Sequence, residues 1–551
     1  MTDETPVLGA NSFVGLTASQ SRAALTRLME RAGTEPTVAL GVAAEATRRL
    51  LDVAIGRADI GPTPTDRRFA DSAWASSPLY RRLMQAYLVE CAALERVVEV
   101  VDLDRKSRER ARFAISLLTQ SLAPTNALLG NPAALKRAWQ TRGQSLVAGG
   151  RNALHDLRHN GGMPSMVDTR PFSVGTNLAI TPGHVVHRGD VFELIQYSPA
   201  TPKVYARPLV MIPPQINKYY ITDLAPGRSL VEYAVAAGVP YFAVSWRNPT
   251  PAQRDWNLDT YVAACLEATD IACDITQSTD ANLLGICAGG VTTACLLGHL
   301  AARGDPRANS VTFLVAGLET TDDSTVGMLA SKPAVEVARR RSRRAGVLDG
   351  RDLGRMFAWL RPNDLVWNYW VNNYLLGENP PAFDILYWNA DTTRLPAALH
   401  ADFLDISLDD ALTKPGAVEV LGSPVDLSAV TCDAYVLGAA TDHIIPWTSA
   451  YRTTQLLGGK SQFVLAPSGH VQAILNPPNG ARGFYLTGRG RPPEDPTVWR
   501  ERAEDHPGSW WDHWLGWLGR RSGGRRLAPA GPGNEAHPPV EPAPGRYVHL
   551  P

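Results

Sequence analysis

The sequence has no surplus of either charge. Its 551 residues carry 54 Lys and Arg against 54 Asp and Glu, so no global basic field is available to draw in nucleic acid or an anionic membrane. The same balance leaves little colloidal repulsion and permits self-association. Cysteine is scarce: Cys91, Cys265, Cys273, Cys287, Cys295 and Cys432 are the six. They form no CxxC pair and no Cys/His cluster at zinc spacing, which argues against a disulfide scaffold and gives no metal site. A reducing cytoplasm is the expected compartment. Long apolar runs are missing too. The most apolar stretch, Val231 to Trp246, is broken by Gly238 and Pro240 and is too short to span a bilayer. The first residues, Met1-Thr2-Asp3-Glu4-Thr5, are acidic and lead into no apolar signal core. Neither a phosphate loop nor a dinucleotide fingerprint is found, since Gly285 to Gly290 lacks the G-x-G-x-x-G spacing. No cofactor is expected, and no internal repeat is visible.

What is there is a globular composition, 44% hydrophobic, arranged in two styles. From Ser19 to about Arg158 the periodicity is helical, as in Ala111 to Leu122, where Phe113, Ile115, Leu117 and Leu118 supply an apolar face beside Arg110 and Arg112. The character changes near Pro171. Val185 to Leu194 and Pro208 to Ile212 read as short apolar strands. Strands then alternate with helical segments at Tyr241–Ser245, Asn282–Leu284, Val311–Val315, Ala434–Leu437 and Phe463–Leu465, the pattern of a parallel sheet wrapped by helices. An α/β protein is expected, with a helical N-terminal domain over 1–184 and a catalytic domain over 185–551. A Trp-, Tyr- and Asn-rich stretch, about 320–426, reads as an insertion over the sheet. The Pro- and Gly-dense tail, about 523–551, reads as irregular, with packing at its Tyr547 end. Trp510, Trp511, Trp514 and Trp517 stand at helical spacing and read as a packing face.

The sharpest local signal is Leu283-Leu284-Gly285-Ile286-Cys287-Ala288-Gly289-Gly290, followed by the helical run Val291 to Ala302. This is G-x-C-x-G, a nucleophile elbow with Cys in place of Ser. Glycines on both sides let strand and helix approach closely around a strained turn. The thiol then sits near a helix N-terminus, which favours thiolate, and the Ala288 N–H faces a prospective oxyanion. The blander reading is a small buried cysteine beside a helix-packing Gly-Gly. Chain order adds weight to the first: α/β-hydrolases place nucleophile, acid and base in that sequence. Asp442 follows the strand Ala434–Gly438, and His470 follows the strand Phe463–Leu465, both beyond strand C-terminal ends where such sheets carry their sites. His443, beside the acid, competes as base. His470 is favoured because the last strand-to-helix loop delivers the histidine of this fold, leaving His443 as a pocket residue. A Cys acyl-enzyme is a thioester, so exchange with a thioester donor is close to thermoneutral, and the acyl group stays activated for attack by an alcohol.

Longer motifs carry a family resemblance. The run Leu360-Arg361-Pro362-Asn363-Asp364-Leu365-Val366-Trp367-Asn368-Tyr369-Trp370-Val371-Asn372-Asn373-Tyr374-Leu375 resembles a signature of polyhydroxyalkanoate synthases. Phe383 to Asn389, Thr393 to Ala397, Pro213 to Tyr220 and Ser245 to Pro249 are similar to the same family, as are Arg67 to Ala70 and Pro78 to Tyr80. The resemblance implies an acyltransferase on an α/β-hydrolase fold with a cap insertion. It implies that Cys287, Asp442 and His470 polymerise (R)-3-hydroxyacyl-coenzyme A into polyester with release of coenzyme A. It also implies an oxyanion hole from the Ala288 N–H and a donor in the Gln215-Ile216 loop, here assigned to Ile216. Implied partners are the acyl-coenzyme A substrate, the growing polyester chain, a second copy in a homodimer and proteins of the polyester granule, at whose surface in the cytoplasm the enzyme would work. Gln215, Asp391 to Arg394 and Pro544 to His549 resemble the single-subunit medium-chain-length type, whereas Ile286-Cys287-Ala288 departs from its Ala-Cys-Ser.

Two other functions remain open at this level. A Cys-type thioesterase or polyester depolymerase would use the same three residues and pass the acyl group to water. A non-catalytic granule-assembly protein could keep the fold, although an intact Cys287, Asp442 and His470 argues against it.

Overall fold

The strands expected from Val185 onward join a sheet of eleven strands among the described residues, which in the computed structural model are 18–34, 36–319, 332–478 and 483–551. Met1–Thr5 and the opening of the expected insertion, 320–331, lie outside them. In chain order the strands are β1 Gly183–Arg188, β2 Phe192–Tyr197, β3 Leu209–Ile212, β4 Tyr241–Trp246, β5 Ala281–Ile286 and β6 Ala308–Leu314. β7 Asp433–Ala439, β8 Ser461–Ala466, β9 Phe484–Thr487, β10 Glu504–Pro507 and β11 Glu541–Pro542 complete it. Across the sheet the order is β10-β9-β8-β7-β6-β5-β3-β4-β2-β1-β11. The six strands from β8 to β4 run parallel, and β2 joins β4 antiparallel. Every residue of β3, β4 and β5 is buried, which explains why they read as continuous apolar runs without alternation.

Two expectations about strands are corrected. Val185 to Leu194 is not one strand: Gly189 donates its N–H to the Phe192 carbonyl and folds the stretch into the β1–β2 hairpin. The tail is more ordered than its Pro and Gly content suggests. Arg525–Leu527 pairs with Lys203–Tyr205, and β11 pairs with β1. The fully buried Glu193 carboxylate accepts N–H bonds from Arg546 and Tyr547. Lys218 Nζ donates to the Leu550 carbonyl at 2.7 Å.

The chain divides into two compact units. Among the described residues one comprises 18–169 with Arg355–Phe383, and the other Arg170–Gly354 with Asp384–Pro551. The expected boundary at 184 therefore falls inside β1, because Leu178 and Ala179 are already part of the sheet's core. Part of the expected insertion, Arg355–Phe383, packs with the helical unit instead. In that unit Leu28, Val98, Val101, Leu103, Ala111 and Ile115 form one core, and Phe69, Trp74 and Met84 another. Asp104 caps the helix Arg105–Ser121 by accepting from the Ser107 N–H at 2.9 Å. The apolar face expected there holds for Ile115 and Leu117, whereas Leu118 is exposed.

The Leu360–Leu375 run explains why Arg355–Phe383 belongs to the helical unit. Trp370 donates its indole N–H to the Asn126 carbonyl, Asn373 its amide to Ser165, and Tyr374 its hydroxyl to buried Asp156 at 2.8 Å. Trp359, Trp367, Trp370 and Tyr374 continue edge to face, a geometry that adds to simple burial.

Candidate active site

β5 ends at Ile286, and the helix Ala288–Ala302 begins one residue later with Cys287 at its N-cap. That abrupt turn forces Cys287 to φ 49° and ψ −120°, a backbone conformation that non-glycine residues avoid. The neighbouring glycines make it possible. A Cβ on Gly289 would lie 2.4 Å from the Ile212 carbonyl oxygen and 2.6 Å from that of Pro213, and one on Gly290 would lie 2.5 Å from the Ala316 Cβ. Helix, β3 and the end of β6 thus meet at backbone distance. Cys287 also donates its N–H to the Leu314 carbonyl at 3.0 Å, tying the elbow to β6.

The second element is the loop after β7. Asp442 accepts the Ile444 and Ile445 N–H groups on Oδ1, at 2.8 and 3.0 Å, in an Asx-type turn. Its side chain is fully buried. Those two amides hold one carboxylate oxygen so that the other, Oδ2, meets His470 Nδ1 at 2.6 Å. The third element is the loop after β8, which reaches His470 at the start of the helix His470–Ile474. Backbone bonds from Ala440 N–H to Ala466 and from Thr441 N–H to Ser468 hold the two loops side by side.

Cys287 lies near enough to the same imidazole to favour its charged form. Three residues separated by 155 and 28 positions in sequence (287, 442, 470) therefore come together at the C-terminal rim of the parallel strands, His470 and Asp442 in direct hydrogen bond. Burial opposes charge on His470, but the Asp442 and Cys287 charges and hydrogen bonds outweigh it, holding the imidazole pKa well above its ordinary value of 6.5. A paired thiol, imidazole and carboxylate in this order can generate a thiolate, accept an acyl group and shuttle one proton.

The remaining expected residues fall close by. Ala288 opens the nucleophile helix, where first-turn N–H groups have no intrahelical acceptor. Ile216 lies on the loop after β3, and its carbonyl is taken by the Thr393 N–H. His443 follows Asp442 and does not replace His470 as its partner. Sequence reasoning missed two supports. Gln215, buried, donates to Thr292 Oγ1 at 2.9 Å and so links that loop to the nucleophile helix. The Ile444 and Ile445 amides were legible in principle as an Asp-initiated turn. Among the described residues no group of three or more His, Cys, Asp or Glu could hold a metal ion, and no helix is long and apolar enough to cross a membrane.

The strand order, the parallel core and the elbow together define an α/β-hydrolase fold with cysteine as the candidate nucleophile. A family profile for that fold matches residues 208–477, and one described as the poly-beta-hydroxybutyrate polymerase (PhaC) N-terminus matches 65–234. The chain is 47% identical to poly(3-hydroxyalkanoate) polymerase 1 of Ectopseudomonas oleovorans, over 98% of this chain and 97% of that one. It is 48% identical to polymerase 2 of the same organism, over 90% and 88%. Identity to the poly(3-hydroxyalkanoate) polymerase subunit PhaC of Cupriavidus necator is 42%, over 90% and 85%. The chain belongs to the poly(3-hydroxyalkanoate) polymerase family.

Proposed function

We propose that this protein is a polyhydroxyalkanoate synthase, an acyltransferase that polymerises (R)-3-hydroxyacyl-coenzyme A through an acyl group held on Cys287. The observation that carries the reading is the His470–Asp442 hydrogen bond beside Cys287 at a strained elbow. With Nδ1 engaged by Asp442, Nε2 is the nitrogen that exchanges protons. It takes the Cys287 proton; the thiolate attacks the thioester carbonyl; and the coenzyme A thiolate leaves with the proton from the imidazolium. In the second half the 3-hydroxyl of another acyl unit attacks the Cys287 thioester. Its proton passes to His470, assisted by Asp442, the C–S bond breaks, and one ester bond has formed. The Ala288 and Ile216 N–H groups would stabilise the oxyanion in both halves, and His443 would line the pocket.

The reading includes a homodimer acting at the surface of cytoplasmic polyester granules, with granule proteins as further partners. The resemblance of Gln215, Asp391 to Arg394 and Pro544 to His549 to the single-subunit type favours medium-chain monomers. The rival acceptor is water, as in a thioesterase or depolymerase. Incubation with (R)-3-hydroxyacyl-coenzyme A separates them: insoluble polyester with stoichiometric coenzyme A is expected, and soluble 3-hydroxy acid as the main product would overturn the proposal. Granules accumulating in cells whose only copy carries Cys287→Ala would favour an assembly role instead.

A further inference from the structure

The helix that bears His470 is short, only His470–Ile474, and a short helix leaves its last carbonyls without intrahelical donors. Here those carbonyls are taken by another element. Trp510 donates its indole N–H to the Ala473 carbonyl at 2.7 Å, and Trp511 donates to Ile474 at 3.0 Å. Ser509 Oγ donates to the Asn476 carbonyl. Three consecutive side chains thus satisfy three carbonyls in the four residues 473–476. The donors are themselves fixed. Ser509 caps the helix Trp510–Gly519, and Trp510, Trp511 and Trp514 are almost completely buried. Trp514 Nε1 donates to Thr312 Oγ1 on β6, and Trp510 and Trp517 both pack against Tyr435 on β7. The element that grips the histidine segment is therefore anchored on the strand adjoining the nucleophile's strand and on the strand that leads to Asp442.

From this geometry we infer that Trp510 and Trp511 are positioning residues for the catalytic histidine: their indole N–H groups act as a bracket that sets the His470 imidazole between Asp442 and Cys287. Both indoles bury apolar surface as any core residue would, but surface alone does not need nitrogen at these two positions. Trp517 provides the contrast. It is buried on the same helix, yet among the described residues it makes no hydrogen bond to 470–476. Replacing a donating indole by phenylalanine leaves a buried carbonyl unpaired exactly where the histidine helix ends. The imidazole is then held less well against Asp442 Oδ2, which favours its charged form, and it loses its proton at lower pH.

The inference rests on His470 being the base, so the test includes His470→Ala. Purified full-length Trp510→Phe, Trp511→Phe, the double variant and Trp517→Phe are compared by kcat/KM for (R)-3-hydroxyacyl-coenzyme A from pH 6 to 10, reading free coenzyme A. The rate of iodoacetamide alkylation of Cys287 is read in parallel from its peptide mass. Each single bracket variant is expected to lose roughly tenfold in kcat with KM nearly unchanged, in keeping with the cost of slight misplacement of a catalytic group. The alkaline limb of its profile moves to lower pH, and Cys287 alkylation at pH 7 slows. Trp517→Phe lowers thermal stability without moving the limb. The inference fails if the single variants keep the wild-type limb and alkylation rate, or if Trp517→Phe shifts both equally. If the double variant does not fold, the single variants decide. Full activity in His470→Ala would instead remove the reading beneath the inference.

Discussion

The elbow at Leu283–Gly290 and the aromatic run at Leu360–Leu375 are the two stretches that stand out most in the sequence, and they do opposite work. The elbow is short, and its glycines and the Cys287 N–H are held against β3, the end of β6 or the nucleophile helix. The run is twice as long and far more distinctive as a string, yet one indole, one amide and one hydroxyl of it hold Arg355–Phe383 to Asn126, Ser165 and Asp156 within the helical unit. Chemistry needs few residues held in a strained geometry. A polar weld between distant segments needs many, each choosing one carbonyl or carboxylate. The length of a recognisable motif therefore measures structural commitment rather than proximity to the reaction.

That contrast has measurable consequences, largest first. Cys287→Ala is expected to reduce coenzyme A release by about 10⁴-fold or more, because residues acting as one unit fail together. Cys287→Ser should lose most activity although it keeps a nucleophilic oxygen. Full polymerisation by the serine variant would undermine the thioester argument. Asp442→Asn keeps the shape of the turn but removes the charge that holds His470 above its ordinary range. A loss of roughly 10²- to 10⁴-fold in kcat is expected. With the raising influence gone, the imidazole loses its proton at lower pH, so the alkaline limb of kcat/KM should move down; an unmoved limb would sever Asp442 from the base.

Smaller effects test the structural side of the comparison. Gly289→Ala puts a Cβ against two backbone carbonyls that have no flexible end to move. A destabilisation of about 2–4 kcal/mol in chemical unfolding is expected, within the range for overpacking and strain. Tyr374→Phe removes one hydrogen bond to buried Asp156 and should cost about 1–2 kcal/mol, with kcat unchanged. A fall in kcat at full stability would mean that the run serves the reaction after all.

Much of this was legible in the chain itself. The elbow announced itself through Gly285, Gly289 and Gly290, and the order Cys287, Asp442, His470 through the strand that precedes each. The parallel core was readable because its strands are buried on both faces and appear as unbroken apolar runs. The membership of Arg355–Phe383 was not, since its partners lie more than 200 residues earlier, two of them backbone carbonyls and one the Asp156 carboxylate, none with a sequence signal that points to the run. The order of the tail was hidden for the same reason: Glu193 is buried inside β2, and its acceptors' role depends on backbone N–H groups at 546 and 547. The four tryptophans were recognisable as a packing face, but nothing in their spacing reveals which carbonyls their indoles meet.

The most direct measurement is to trap the acyl group. The protein is incubated with an acyl-coenzyme A lacking the 3-hydroxyl, which can load the enzyme but cannot extend, and the digested chain is mapped by mass. One acyl unit on the peptide containing Cys287, released by hydroxylamine and missing from Cys287→Ala, is the expected result. An acyl unit on another residue, or coenzyme A release persisting undiminished in Cys287→Ala, would contradict the assignment of Cys287 as the nucleophile.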